Sequence, residues 1–142
     1  MQCKMNLLSR MVEMSYKVYF KFEPDYLYVQ ASGIRSIENI ISLAQDYINA
    51  SEEKGYKRVL VDVRDMTGEL QTVDSYDLGK EAPDKLGGVH PWLKGAIVDL
   101  EKNRERYHFL ETVLVNRGFH IRFFSNLDEA KRWLLEGKDT ST

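Results

Sequence analysis

The sequence predicts an α/β fold with a mostly parallel five-stranded sheet, one antiparallel edge strand and about four helices. Three observations lead to this prediction. Apolar residues alternate along the chain between the spacing typical of strands and the spacing typical of helices. The segments "RVLVDV" and "GAIVDL" are too uniformly apolar for strands with one exposed face, so they are expected to be buried in the sheet. Helical segments separate the later strands, and strands joined through helices pair in parallel.

The first two strands are expected to form an antiparallel hairpin at the edge of the sheet. In "YKVYFKF", aromatic and aliphatic residues alternate with lysines and a tyrosine, the pattern of a strand with two unlike faces. The following "EPD" favours a turn. The next strand, "YLYVQAS", places Tyr26 and Tyr28 on the face opposite to its aliphatic residues.

Four helices are predicted between and after these strands. Residue types that cap helices mark three of their starts: Ser36, Thr72, and the pair Ser125 and Asp128 in a capping-box-like pattern. Glycines mark two of their ends: Gly55 and Gly118. The helix that starts at Thr72 is expected to run toward Ala82. In the last helix, Ala130, Trp133 and Leu134 fall on one face, which is expected to pack on the sheet.

The composition is that of an ordinary globular protein. The 142 residues suit one domain, and the chain is 43% apolar and 30% charged. The formal net charge is -2 and the basic residues are scattered, so no nucleic-acid binding is expected. No apolar run approaches the roughly 18 residues of a membrane span, so no stable membrane insertion is expected either. Cys3 is the only cysteine, which excludes an internal disulfide and is compatible with the cytoplasmic location that we expect.

The domain is expected to span residues 15–137, between an N-terminal extension (residues 1–14) and a C-terminal tail (residues 138–142). Apolar residues in the extension recur at roughly helical spacing. Two interpretations stay open for it: a frayed or loosely docked segment, or an amphipathic helix that covers a partner or a second subunit. The second interpretation leaves a homo-oligomer open.

Three segments carry a resemblance to a known family: "VLVDVRDMTG", "GAIVDL" and "IRFFSNLDEAKRWL". With the preceding hairpin and helix, they resemble the SpoIIAA-like branch of the STAS domain superfamily over about residues 15–136. STAS domains include anti-sigma-factor antagonists and the cytoplasmic tails of sulphate transporters. The resemblance implies a non-enzymatic regulatory or binding module with a protein partner. Because this branch is also similar in outline to the lipid-carrying Sec14 group, a small-molecule or lipid carrier with an apolar ligand stays open as the alternative.

The resemblance also implies a candidate switch after the central strand. In the antagonists, a serine at the start of the following helix is phosphorylated by a partner kinase, within a pattern close to Asp-Ser-Ser-Gly. The corresponding turn here is Asp65-Met66-Thr67-Gly68, which keeps the Asp, one hydroxyl and the Gly.

The same turn is a candidate binding site on topological grounds. Parallel sheets bind ligands beyond the carboxyl ends of their strands, where this turn is expected to lie. Asp65, Thr67, Gly68 and Thr72 are therefore predicted to contact a partner or a phosphate group. The alternative is that Asp65 and Thr67 only cap their own turn and that Thr72 only caps the next helix.

Asp62 interrupts an apolar strand, so its carboxylate must be paired or hydrogen-bonded. Three arginines are candidate partners: Arg58, Arg64 and Arg122. Alternatively, Asp62, Asp65 and Asp99 would hold Mg²⁺ for phosphoryl chemistry. Against this, the chain has neither a Gly-rich phosphate loop nor a nucleophile elbow, and its three histidines match no metal-ligand spacing. We therefore expect no catalytic residue, no metal site and no cofactor.

The segment "EAPDKLGGVHPWLKG" is predicted to be a loop of about a dozen residues, a length often associated with function. Trp92 either packs back on the domain or forms part of a lid over a pocket beside the Thr67 turn. In the ligand-carrier alternative, Trp92 and His90 from this loop would line the pocket together with Tyr28 from the hairpin.

Overall fold

The structure, a computed structural model, describes residues 16–137, which form a five-stranded sheet with helices on both faces. The strands are β1 (Tyr16–Phe22), β2 (Leu27–Ile34), β3 (Arg58–Thr67), β4 (Lys94–Val98) and β5 (Ile121–Phe124). The helices are α1 (Ile37–Lys54), α2 (Thr72–Lys85), α3 (Arg104–Asn116) and α4 (Leu127–Leu134), and a 3₁₀ turn (Glu101–Asn103) precedes α3. The proposed N-terminal extension and C-terminal tail lie outside the described residues.

The strands follow one another across the sheet in the order β1-β2-β3-β4-β5. β1 pairs with β2 antiparallel, and the three remaining pairs are parallel. The predicted fold class is therefore confirmed, including the antiparallel edge strand and the four helices. Because right-handed crossovers advance the sheet in one direction throughout, α1, α2 and α3 lie on the same face. Their buried side chains meet Phe123 of β5 in one cluster: Ile41, Leu78 and Leu110.

The central strand β3 is buried on both faces, as its sequence predicts. Val59 and Val61 point toward the three-helix face and belong to the cluster that includes Leu43 of α1. Leu60 points toward the opposite face, where it packs with Leu134 of α4. All three β3 side chains are at most 1% exposed. α4 is thus the single helix that covers the second face of the sheet within residues 16–137.

Local capping follows the sequence closely at α1 and less closely at the other helices. Ser36 caps α1, since its hydroxyl accepts from the Asn39 backbone N–H at 3.0 Å, and Gly55 ends the helix in the left-handed conformation. The cap of α4 is Asn126 rather than Ser125, because the Asn126 side chain accepts from the Glu129 N–H at 2.9 Å. An Asx side chain one residue later therefore takes the role predicted for the serine.

The helix α2 is longer than the sequence predicts, and the loop after it is shorter. α2 continues past Ala82 and through Pro83 to Lys85, so the connection to β4 spans residues 86–93. Pro83 lies in the last turn of the helix, where its missing N–H removes only one helical hydrogen bond. This loop enters β4 at its amino end, which is the edge of the sheet opposite to the turn after β3.

Candidate functional site

The turn between β3 and α2 lies at the carboxyl edge of the parallel strands, as predicted. β3 ends at Thr67, and the side chains of Asp65, Thr67 and Thr72 are exposed. Gly68 turns the chain with φ +83°, in the left-handed region that other residues rarely adopt. A Cβ at Gly68 would meet no atom within 4 Å, so backbone strain, rather than lack of space, favours glycine there.

A β-bulge explains why Asp65 and Thr67 are exposed. Gln30 pairs with Asp62, but two residues later Ser32 pairs with Asp65, so β3 contains one extra residue at this point. The bulge reverses the facing of the residues that follow it, since strand side chains alternate between faces. Met66 consequently enters the core of the three-helix face, while its two neighbours leave it.

The polar residues of the turn are bound to β2. The Gln30 side-chain amide donates to Asp65 Oδ2 at 2.9 Å, and the Thr67 hydroxyl donates to the Gly33 carbonyl at 3.4 Å. These contacts differ from the alternative in which both residues cap their own turn. Thr72 is the first residue of α2, while the backbone N–H of Gln71 donates to the Asp74 carboxylate.

Sequence reasoning did not single out Arg35, which organises this edge of the sheet. Arg35 follows β2, and its guanidinium donates to the carbonyls of Met66 at 2.7 Å and Gly68 at 3.0 Å. It also donates to the Val63 carbonyl at 3.1 Å and to Asp99 Oδ1 at 2.5 Å. One buried side chain therefore holds the end of β3 and the turn in a defined conformation.

Asp99 completes this network from the end of β4. Its Oδ1 also accepts from the backbone N–H of Leu100 at 2.7 Å and from the Asn103 side-chain amide at 2.9 Å. The side chains of Arg35 and Asp99 are only 10% and 7% exposed, so the charges are shielded from water. Only Asp99, near the end of "GAIVDL", indicated this ion pair in the sequence, because a buried carboxylate requires a hydrogen-bond donor.

Asp62 has a separate structural role on the α4 face. Arg64 binds it with two side-chain bonds, Nε to Oδ1 at 2.9 Å and Nη2 to Oδ2 at 2.7 Å, and its own N–H adds a third at 3.0 Å. Arg64 is therefore the partner among the three candidate arginines. Burial alone would raise the pKa of Asp62, but the hydrogen bonds and charge of Arg64 outweigh burial and hold this pKa below its usual value.

Tyr28 completes the environment of Asp62. Its hydroxyl donates to Asp62 Oδ2 at 3.1 Å, and its ring packs against the α4-facing cluster. Burial, followed by the nearby Asp62 charge, raises the pKa of Tyr28 to about 12. Tyr28 therefore serves as a neutral donor to a buried carboxylate.

The three acids considered for Mg²⁺ do not meet. Asp62 faces α4, Asp99 pairs with Arg35 at the three-helix face, and Asp65 is exposed beside Gln30. No group of three or more His, Cys, Asp or Glu residues within the described part of the chain is arranged to hold a metal ion. The residues present thus do not fit the Mg²⁺-dependent alternative.

Trp92 and His90 contact each other, whereas Tyr28 contacts Asp62 and the cluster that faces α4. Trp92 and His90 lie in the loop at the amino edge of the sheet, where their rings contact edge to face at 6.0 Å. His90 has φ +47° and its Nε2 lies 2.6 Å from the Leu86 carbonyl oxygen. Trp92 remains 40% exposed. Neither residue lies near the Thr67 turn, which is at the opposite edge.

A cavity does exist, but other residues line it. It has a volume of about 120 Å³ and lies between the sheet and the helices α1, α2 and α3. Its wall includes Val61 of β3, Leu78 of α2 and Leu110 of α3. Tyr28, His90 and Trp92 do not contribute to that wall.

No helix within residues 16–137 combines the length and the apolar character needed to cross a bilayer.

Comparison with known proteins places this geometry in a fold. The sequence matches no protein-family model and no curated protein. Among solved structures, an anti-sigma factor antagonist from Mycobacterium paratuberculosis is similar at a TM-score of 0.52 and 14% identity, over 86% of this chain and 96% of that one. An uncharacterized protein with a SpoIIAA-like fold from Shewanella loihica has a TM-score of 0.47 and 16% identity, over 84% and 93% of the two chains. With its antiparallel edge strand and its parallel strands β2–β5, the chain shares the α/β fold of the anti-sigma factor antagonist, as the resemblance implies.

Proposed function

We propose that this chain is a non-enzymatic regulatory module that binds a protein partner through the surface around the β3–α2 turn. This turn surface consists of the following residues: Ile34, Asp65, Thr67, Gly68, Thr72, Val73 and Tyr76. One observation carries the proposal: large apolar side chains stand exposed on both sides of the exposed polar turn.

The apolar part of the turn surface comes from two elements. Ile34 pairs with Thr67 across the β2–β3 ladder and is 52% exposed. Val73 and Tyr76 lie three residues apart in the first turns of α2, so they share one side of the helix, and they are 62% and 52% exposed. Exposed apolar residues bordered by polar ones are typical of protein-binding surfaces.

The polar part of the turn surface offers a means of regulation. The hydroxyls of Thr67 and Thr72 are accessible, and three acids lie close in the chain: Asp65, Glu69 and Asp74. A phosphate on either hydroxyl would add about -1.5 to -2 charge. Added negative charge beside these acids would repel an acidic partner surface and change the affinity of the partner for the turn.

The contacts of Arg35 beneath the turn favour the binding of a partner. Arg35 holds the carbonyls of Val63, Met66 and Gly68, so the backbone conformation of the turn is set before a partner arrives. A preformed surface loses less conformational entropy on association. The description of the solved neighbour as an anti-sigma factor antagonist agrees with a regulatory role and supports the proposal.

The two buried acids of the described residues, Asp62 and Asp99, support a binding role over catalysis. Asp62 is bound by Arg64 and Tyr28, and Asp99 is bound by Arg35 and Asn103. Each carboxylate is thus engaged in a structural contact. This leaves the exposed turn surface as the feature that best fits a function.

Site-specific photocrosslinking tests the partner surface. Benzoylphenylalanine is placed at Tyr76, and in a matched control at Phe109, which is 39% exposed on α3 and outside the turn surface. In extracts of the native host, we expect position 76 to capture a discrete protein that position 109 does not capture. The proposal fails if both positions give the same products, or if position 76 captures nothing. Capture of only a second copy of this chain would replace it with a self-association surface.

A further inference from the structure

The core beneath the β3–α2 turn is incompletely packed. A cavity of about 120 Å³ separates α1, α2 and α3 from the sheet. Protein interiors normally contain few voids larger than a water molecule. An engineered apolar cavity of about 150 Å³ in another protein binds benzene. The space here is somewhat smaller than that cavity, so a molecule close to the size of one aromatic ring is the largest ligand that we expect it to hold.

The side chains of α2 explain why this space stays open. On its buried side α2 presents Ser75 and Ala82, which line the cavity and are too short to fill it. Between them lies Gly79, where any Cβ would overlap the side chain of Val113 on α3. The absence of a Cβ at Gly79 allows α2 and α3 to approach closely, and the short side chains of Ser75 and Ala82 leave space toward α1 and the sheet.

The wall of the cavity is almost entirely apolar. Aliphatic and aromatic side chains from every surrounding element contribute to it, among them Ile41, Val61, Leu70, Leu78, Leu110 and Phe123. Tyr47 also lines it, and burial raises the pKa of this phenol to about 12, so its hydroxyl is neutral near pH 7. Such a wall favours ligands that have little to lose by leaving water.

The charged groups of the cavity lie at the carboxyl edge and are paired. Arg35 binds Asp99, and Arg106 binds Glu69 at 2.8 Å. Arg106 and Glu69 are 44% and 51% exposed, so the cavity reaches solvent at this end. Because each positive charge has its own carboxylate, an ionised ligand would have to displace one of these acids to gain an arginine.

We propose that this cavity is a binding site for a small, uncharged, apolar molecule of about the size of one aromatic ring. The proposal does not depend on the partner surface. The two sites are nevertheless adjacent, since Gly68, Glu69 and Leu70 line the cavity and also form the turn between β3 and α2. A bound molecule therefore contacts the inner side of the turn.

A matched pair of ligands tests the site and its ligand class. Toluene and benzoate carry the same ring, and only benzoate is charged. Each is titrated into the full ¹⁵N-labelled chain and followed by amide chemical shifts. We expect toluene to give saturable shifts at Leu70, Leu78 and Leu110, with none at Leu134 on the opposite face, and benzoate to bind at least tenfold more weakly. Absence of saturation by toluene, equal shifts on both faces, or benzoate binding as tight as toluene binding would each overturn the proposal.

Two substitutions on α1 locate the site. Ala44 lines the cavity, while Ala50 on the same helix does not. Ala44→Leu fills part of the space and is expected to weaken toluene binding at least tenfold, whereas Ala50→Leu leaves it unchanged. Ala82→Leu fills the cavity from α2 and serves if Ala44→Leu does not fold. If a folded cavity-filling variant binds toluene as tightly as the parent chain does, toluene does not bind in this cavity. Whether toluene binds at all is tested by the titration of the parent chain.

Discussion

Arg35 and Asp99 form a buried ion pair that joins the carboxyl ends of β2 and β4 across the end of β3. The same guanidinium binds three β3 and turn carbonyls, so the pair links three strands at the edge that carries the turn surface. Breaking a buried pair leaves the remaining charge without a partner in a poorly solvated place. We therefore expect Arg35 to contribute both to the stability of the fold and to the shape of the turn.

Replacing Arg35 is expected to destabilise the protein strongly. Arg35→Ala leaves Asp99 buried without its cation and removes three carbonyl contacts, which should lower the free energy of unfolding by about 3–5 kcal/mol. Arg35→Lys keeps the charge but not the fork-shaped donor set, so we expect it to recover only part of the loss. Urea unfolding curves measure both effects. A loss below about 1 kcal/mol for Arg35→Ala would show that the pair is not required for stability.

The Asp62–Arg64 pair predicts an acid-dependent contribution to stability. Because the folded state holds the pKa of Asp62 below its usual 3.8, the charged form stabilises the fold. This contribution is complete above pH 3.8 and is lost as the pH falls through the lower, folded-state pKa. Asp62→Asn cannot ionise, so its melting temperature should fall less than that of the parent as the pH is lowered below 3.8. Parallel pH profiles for parent and variant would contradict the assigned pair.

We expect Gly79→Ala to destabilise the protein, although replacing glycine by alanine normally favours a helix. Alanine at a helix interior is about 1 kcal/mol more favourable than glycine, yet a methyl group at Gly79 would overlap Val113. In a helix, valine strongly prefers one side-chain rotamer, so Val113 cannot easily turn aside. Gly79→Ala should therefore lower the free energy of unfolding by about 1–3 kcal/mol.

A double-mutant cycle separates this overlap from other effects of alanine at Gly79. Adding Val113→Ala removes the overlapping methyl groups, so the combined loss should be smaller than the sum of the two single losses. Thermal or urea unfolding of the four proteins gives the coupling. Purely additive losses would show that α2 and α3 do not meet at these residues.

The order of the elements was predictable because its signals act locally. In the structure, α1 begins directly after Ser36 and ends directly before Gly55, as their residue types predict. The uniformly apolar segment of β3 identified a central strand, and the helical connections required parallel pairing. The fold class follows from these local rules and the handedness of crossovers.

The site was less predictable because its contacts join residues far apart in sequence. Arg35 contacts Val63, Gly68 and Asp99, which lie 28, 33 and 64 positions away in the sequence. The residues next to Arg35 in the sequence do not indicate that its side chain is buried. The β-bulge that exposes Thr67 has no local signal either. The cavity depends on how short side chains of α2 meet three other elements, which no single segment reveals.

The place of the Trp92 loop follows from topology rather than from composition. A helix that leaves the carboxyl edge after β3 returns to the amino edge before β4, so this loop and the Thr67 turn lie at opposite edges. The length and aromatic content of the segment suggested a lid. The direction of the crossover, by contrast, places the loop and the turn at opposite edges of the sheet.

The affinity of a captured partner for charge variants of the turn tests the central claim most directly. Thr67→Glu and Thr72→Glu place negative charge on the turn surface, while Thr112→Glu places it on the exposed side of α3 as the control. We expect Thr67→Glu to leave the fold intact and to change the dissociation constant more than tenfold, or about 1.4 kcal/mol. Thr112→Glu should bind as the parent does. If Thr67→Glu and Thr72→Glu both bind with the parent's affinity, the turn is not the partner surface, and its polar residues only end β3 and begin α2.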